Sequence, residues 1–77
     1  MTIEIVPGVT ADPQVAFGKP VIAGTRVPVV LVLGQLAGGV TVAELCAQYD
    51  LTQDQVFAAM RYAAWLAEQE TVRATAG

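Results

Sequence analysis

The chain has no histidine, one cysteine and only four Lys and Arg side chains in 77 residues. Each shortage excludes something. Without histidine, the commonest general base and metal ligand is missing. Cys46 alone cannot close an internal disulfide, so a reducing compartment is the default expectation. Four cations against seven Asp and Glu leave a net charge of −3. Autonomous nucleic-acid binders draw most of their non-specific affinity from cation–phosphate contacts. An acidic balance therefore argues against tight DNA binding by the chain alone and suits a basic partner. No apolar run approaches the ~20 residues of a membrane span. The start, MTIEIVPG, lacks the basic region and long apolar stretch of a signal peptide. The expectation is a cytoplasmic protein that does not enter a membrane.

What is present is apolar surface. Hydrophobic residues make up 55% of the chain and charged ones 14%. A domain of this size buries too little to hide so much, so a second copy or a partner is expected to cover part of it. Residues 1–69 read as one small domain, and 70–77 as a flexible tail.

Short extended pieces come first, then helices. Thr2–Val6 alternates, with Ile3 and Ile5 opposite Glu4, and Pro7-Gly8 ends it, which predicts a strand. Val9–Gly18 carries Gly and Asp-Pro and reads as loop. Val21-Ile22 and Thr25–Val27 read as arms of a tight hairpin around Ala23-Gly24, spanning about 20–27. Pro28 suits the first position of a helix, predicted over 28–37 and stopped by Gly38-Gly39. Thr41-Val42-Ala43-Glu44 is a capping box opening a helix over 42–49, whose apolar stripe is Val42, Leu45, Cys46 and Tyr49. Thr52-Gln53-Asp54-Gln55 repeats that logic before a helix over 53–68. The predicted fold is mostly α: an N-terminal strand and hairpin, then a three-helix, helix-turn-helix-like bundle.

Catalytic groups are scarce. Cys46 lies on an apolar stripe, where a small buried hydrophobe is the simplest role. The acids are scattered, and Glu44 and Asp54 are explained by helix starts. Gly18-Lys19-Pro20 lacks the rest of a phosphate loop. No enzyme, metal, cofactor or small-molecule substrate is expected.

Two sets of binding residues remain. Used on DNA, the helix-turn-helix would place Gln53 and Gln55 in a major groove, with Arg61, Lys19 and Arg26 as cations. Lys19 and Arg26 could instead form ion pairs with Asp12 or a helix carboxylate. The last helix is apolar nearly all round from Val56 to Ala67, with Arg61 its only charge there, which asks for cover on more than one side. Val56, Met60, Tyr62, Trp65 and Leu66, with Glu68 and Glu70 as an acidic rim, are the candidate dimer or partner interface.

The stretch Asp12–Leu66 resembles a bacterial family of domains of unknown function numbered 433, placed among homeodomain-like helix-turn-helix proteins. The resemblance is carried by Asp12-Pro13, Gly18-Lys19-Pro20-Val21-Ile22, Gly24-Thr25-Arg26-Val27-Pro28-Val29, Leu36-Ala37-Gly38-Gly39 and Leu51-Thr52. Family members often have arginine at the position of Ala23, so this hairpin tip lacks a cation. The resemblance implies an antitoxin-like role: binding a PIN-like ribonuclease toxin and helping to regulate the operon, with operator DNA engaged mainly by the complex. The expectation is a homodimer of that kind. A stand-alone helix-turn-helix DNA-binding regulator is the alternative, and a structural dimerisation module the next.

Overall fold

The chain first doubles back at Pro7-Gly8, where Gly8 takes φ +88, a conformation that costs glycine little. In the computed structural model, which describes residues 1–70, this turn joins β1 (Ile3–Val6) to β2 (Val9–Ala11). A short 3-10 turn at Ala16–Gly18 leads to β3 (Val21–Ile22), and three helices follow: α1 (Val29–Ala37), α2 (Val42–Tyr49) and α3 (Gln53–Glu68). The fold is mostly helical, with an N-terminal antiparallel sheet of strand order β1-β2-β3. The expected tail after Glu70 lies outside the described residues.

Two details of the sheet differ from expectation. Val9–Ala11, read as loop, is the central strand, pairing Thr10 with Glu4 on one side and with Val21 on the other. Three residues between a glycine and Asp-Pro are too few to display alternation, so nothing local marks the strand. Thr25–Val27, read as the second arm of a hairpin, is not a strand. Val21-Ile22 spends its ladder bonds on β2. On its other side only the Ile22 N–H to Val27 carbonyl bond (3.0 Å) and an isolated Val21–Pro28 bridge remain. The tight turn itself is present: Thr25 N–H donates to the Ile22 carbonyl at 3.0 Å, and Gly24 has φ +76, as a type II turn requires at its third position. The Thr25 hydroxyl locks it, donating to the Ile22 carbonyl and accepting from Val27 N–H.

The helices begin as the sequence predicts, with one shift. Pro28 is the N-cap of α1 rather than its first residue, at φ −66 and ψ 138. The pyrrolidine ring fixes φ equally well in either place. Both capping boxes form, Thr41 with Glu44 and Thr52 with Gln55. Asp50, in the left-handed region at φ 54, ends α2, and buried Leu51 seats the turn into α3.

One core joins sheet and helices: Val6, Val9 and Ile22 from the strands, Val29 and Val32 from α1, Leu45 from α2, and Leu51, Val56, Ala58 and Ala59 at α3. Each fully buried Val, Leu or Ile contributes roughly 1.5–3 kcal/mol. Cys46 packs against this core as a half-buried hydrophobe. Ala58 and Ala59 are small because the sheet comes close. A Cβ added to Gly8 would sit 2.7 Å from that of Ala58. The core contains no aromatic residue; it is Val, Ile, Leu and Ala throughout.

Candidate interaction surfaces

The helix-turn-helix unit is held by paired caps. Thr41 N–H and its hydroxyl both donate to Glu44 Oε1, at 3.0 and 2.9 Å, while Glu44 N–H donates to Thr41 Oγ1 at 3.1 Å. Those donors hold the Glu44 carboxyl below its ordinary value, the backbone bond from Thr41 first. In the second box, Thr52 N–H donates to Gln55 Oε1 at 2.7 Å, and Gln55 N–H to Thr52 Oγ1 at 3.2 Å. Gln55 therefore has its side chain tied to its own helix, with one acceptor site of its oxygen already used.

The five candidate DNA residues do not form one surface. Gln53 is exposed in the first turn of α3. Gln55 and Arg61 line a shallow depression with Asp54, Gly8 and Ala23, and Arg61 donates to the Pro7 carbonyl at 3.3 Å. Lys19 lies at a different groove, between α1 and α3, and Arg26 at a third, beside Asp12 and Thr10. Nor do Lys19 and Arg26 form the ion pairs considered for them. Among the described residues, Asp12 meets only the N-terminal amine as a cation, at 3.8 Å. Its oxygens accept from Thr2 Oγ1–H at 2.8 Å and Gln14 N–H at 2.9 Å. The Gln14 bond, then that of Thr2, lowers the Asp12 carboxyl below its ordinary value.

The candidate partner residues divide in three. Val56 is fully buried, in the core that strands and all three helices share, and leaves the interface list. Tyr62 and Leu66 line an open, apolar groove of about 350 Å³ with Pro20, Val30, Leu33 and Lys19. Trp65 flanks it, its ring centroid 6.0 Å from that of Tyr62. Met60 and Glu68 turn away to solvent, on the face of α3 that also carries Asp54, Phe57 and Ala64. Glu70 is exposed just past the helix end.

The candidate list omits exposed Phe57, Val30 and Phe17, and Leu33, half-buried at the groove. Phe57 could have been found, since its spacing to Met60, Arg61 and Ala64 is that of one helix face. Val30 could not, because α1 is apolar on all sides and only packing decides which valine is covered. Among the described residues, no group of three or more His, Cys, Asp or Glu could hold a metal ion. No helix there is long and apolar enough to cross a membrane.

The family described as "Protein of unknown function (DUF433)" matches residues 9–63. The chain belongs to that family. No curated protein matches it. Among solved structures, the crystal structure of Rv2018 from Mycobacterium tuberculosis is similar, at 38% identity and a TM-score of 0.61. The match covers 68% of this chain and 24% of that protein, so the chain spans about a quarter of the length of the protein it matches. The DUF433 match takes in the Gly24-Thr25 turn, α1, α2 and α3 as far as the groove residue Tyr62.

Proposed function

We propose that this chain is an antitoxin-like protein that binds and neutralises a PIN-like ribonuclease toxin and, within that complex, helps to control its own operon. The observation that carries the reading is where the aromatic side chains lie. Phe17, Phe57 and Trp65 are exposed, while Tyr49 and Tyr62 pack half-buried against the core. Aromatics are the largest apolar groups a small domain has, and those kept at the surface beside charge are typical anchors of a protein interface.

The outward face of α3 is the best toxin-docking surface. It presents Phe57 and Met60 between Asp54 and Glu68, an apolar centre with acidic ends. The same face would be the recognition surface of a DNA-binding helix-turn-helix. For that use it is poorly made, because Phe57, Met60, Asp54 and Glu68 outnumber its one amide and one cation, Gln53 and Arg61, and Arg61 already donates to the Pro7 carbonyl. The nature of the partner comes from the family resemblance, and the acidic rim suits a basic protein. With no histidine and a half-buried thiol, we read the chain as non-enzymatic.

The test is growth rescue on co-expression with the co-encoded ribonuclease. Phe57→Glu combined with Met60→Glu should abolish rescue while the circular dichroism spectrum and melting temperature stay close to those of the parent. Rescue undiminished by the pair would remove this face from the reading. Nanomolar, sequence-specific DNA binding by the isolated protein at physiological salt would instead favour the stand-alone regulator.

A further inference from the structure

Ala16, Phe17 and Gly18 occupy three consecutive positions of positive φ, at 49°, 58° and 81°. Glycine takes this region freely, but alanine and phenylalanine are strained in it, and such strain persists only where the surroundings enforce it. Here hydrogen bonds do so. Val15 N–H donates to the Asp12 carbonyl at 2.9 Å, Gly18 N–H to that of Val15 at 3.0 Å, and Lys19 N–H to that of Ala16 at 3.1 Å. The Asp12 carboxylate accepts from Gln14 N–H in the same segment, and Pro13 and Pro20 fix φ on either side. What this turn holds out is the Phe17 side chain, 99% exposed. Phe17 belongs neither to the core nor to the residues packed against it, so the strain returns nothing to the fold. Strain kept at a fixed, solvated aromatic is explicable if the ring serves something outside its own chain.

We propose that Phe17 is a preformed knob that enters an apolar, carboxylate-edged pocket on the ribonuclease partner. The inference rests on the antitoxin reading and gives that partner a second contact, opposite in charge to the acidic ends of the α3 face. Rigidity suits the role, because an aromatic with two side-chain torsions on a bonded turn loses little freedom on docking. Charge sets the chemistry of the pocket. From Pro13 to Pro20 the only charged residue is Lys19, which is exposed and forms no ion pair among the described residues. A pocket that receives the ring brings its rim near that ammonium, two residues on, where a carboxylate is favoured.

The concavities of this chain do not meet that description. The apolar groove between α1 and α3 has Lys19 at its own rim, so a second copy would bring two ammonium groups together. The depressions at α3 and at the sheet each hold an arginine beside their single carboxylate, Arg61 with Asp54 and Arg26 with Asp12. A lipid surface fits no better. One ring and one cation are too little for stable anchoring, and a net charge of −3 opposes an anionic membrane.

The test is calorimetric titration of the full-length chain into the purified co-encoded ribonuclease, with the melting temperature of each free variant measured alongside. Phe17→Asn keeps a residue that accepts positive φ and removes the ring. It should raise the melting temperature of the free chain by roughly 2–6 °C. It should also weaken the complex on the order of 30–100-fold. Lys19→Glu should weaken the complex about tenfold, and less as salt rises. No binding by the parent would end the antitoxin reading and this proposal together. Parent binding that Phe17→Asn leaves unchanged would end this proposal alone. So would a melting temperature lowered by Phe17→Asn, since the ring would then serve the fold. Phe17-dependent self-association in sedimentation, or Phe17-dependent adsorption to phosphatidylglycerol vesicles, would overturn it by giving the ring another receptor.

Discussion

Two ends of α3 are built on opposite principles. Its N-terminal half is closed. Thr52 caps it, Val56, Ala58 and Ala59 are buried, and the Pro7-Gly8 turn sits so near Ala58 that no side chain fits between. Its C-terminal half is open. Trp65 and Leu66 remain 39% and 42% exposed, and the groove against α1 is unfilled. The first half seals its inner face within a single chain and shows Phe57 and Met60 only on its outer side; the second leaves even the side facing α1 open. The β1–β2 turn meets α3 at Ala58 and Arg61, and the α1–α3 groove opens beyond it, at Tyr62 and Leu66.

Paired leucines give the largest expected contrast. Leu45 is fully buried in the closed region, so Leu45→Ala should cost about 2–5 kcal/mol in chemical denaturation. Leu66→Ala, in the open region, should cost the isolated protomer less than about 1 kcal/mol, since much of that side chain is already in water. Equal losses, measured where the chain is monomeric, would erase the distinction between the two ends.

Gly8 tests how tightly the closed end is made. Gly8→Ala puts a Cβ 2.7 Å from that of Ala58 at a position of φ +88, combining overpacking with backbone strain. A loss of about 2–4 kcal/mol is expected. The melting temperature should fall accordingly, by about 4–8 °C per kcal/mol in a domain of this size. At Gly24, which has nothing within 4 Å of an added Cβ, only the φ +76 strain remains, and Gly24→Ala should cost about half as much. A harmless Gly8→Ala would mean that the turn can lift from α3.

The smallest effect distinguishes the two caps. The Glu44 carboxyl is held below its ordinary 4.5 by the Thr41 donors. Its contribution is therefore fully present above about pH 4.5 and lost as pH falls through the lower, folded value. Gln55 does the same work at α3 without a titrating group. On acidification the Thr41 amide proton should shift in NMR spectra with a midpoint below 4.5, while that of Thr52 stays flat. A flat Thr41 amide would mean that the first box does not form in solution.

Much of this was legible in the residues. Both boxes and the Ala23-Gly24 turn depend on interactions within about four positions, so a short string carries the whole signal. The β2 strand did not, being defined by neighbours on either side that lie several residues away. Nor did the split of the interface candidates. The apolar spacing of α3 allowed Val56 and Met60 to share a stripe, yet packing buries the first and leaves the second exposed.

The sequence by itself determined the helices, their starts and stops, the family, and the fact that this chain carries more apolar surface than it can bury. Those properties follow from local bonding and from composition. The tertiary structure alone decided which apolar residues are left over: Phe17 projected on a strained turn, Val30 and Leu66 at a groove, and Phe57 and Met60 outward. Which side of a helix becomes surface is set by what packs on the other side, and for α3 the core partners come from α1, α2 and strands as far back as Val6.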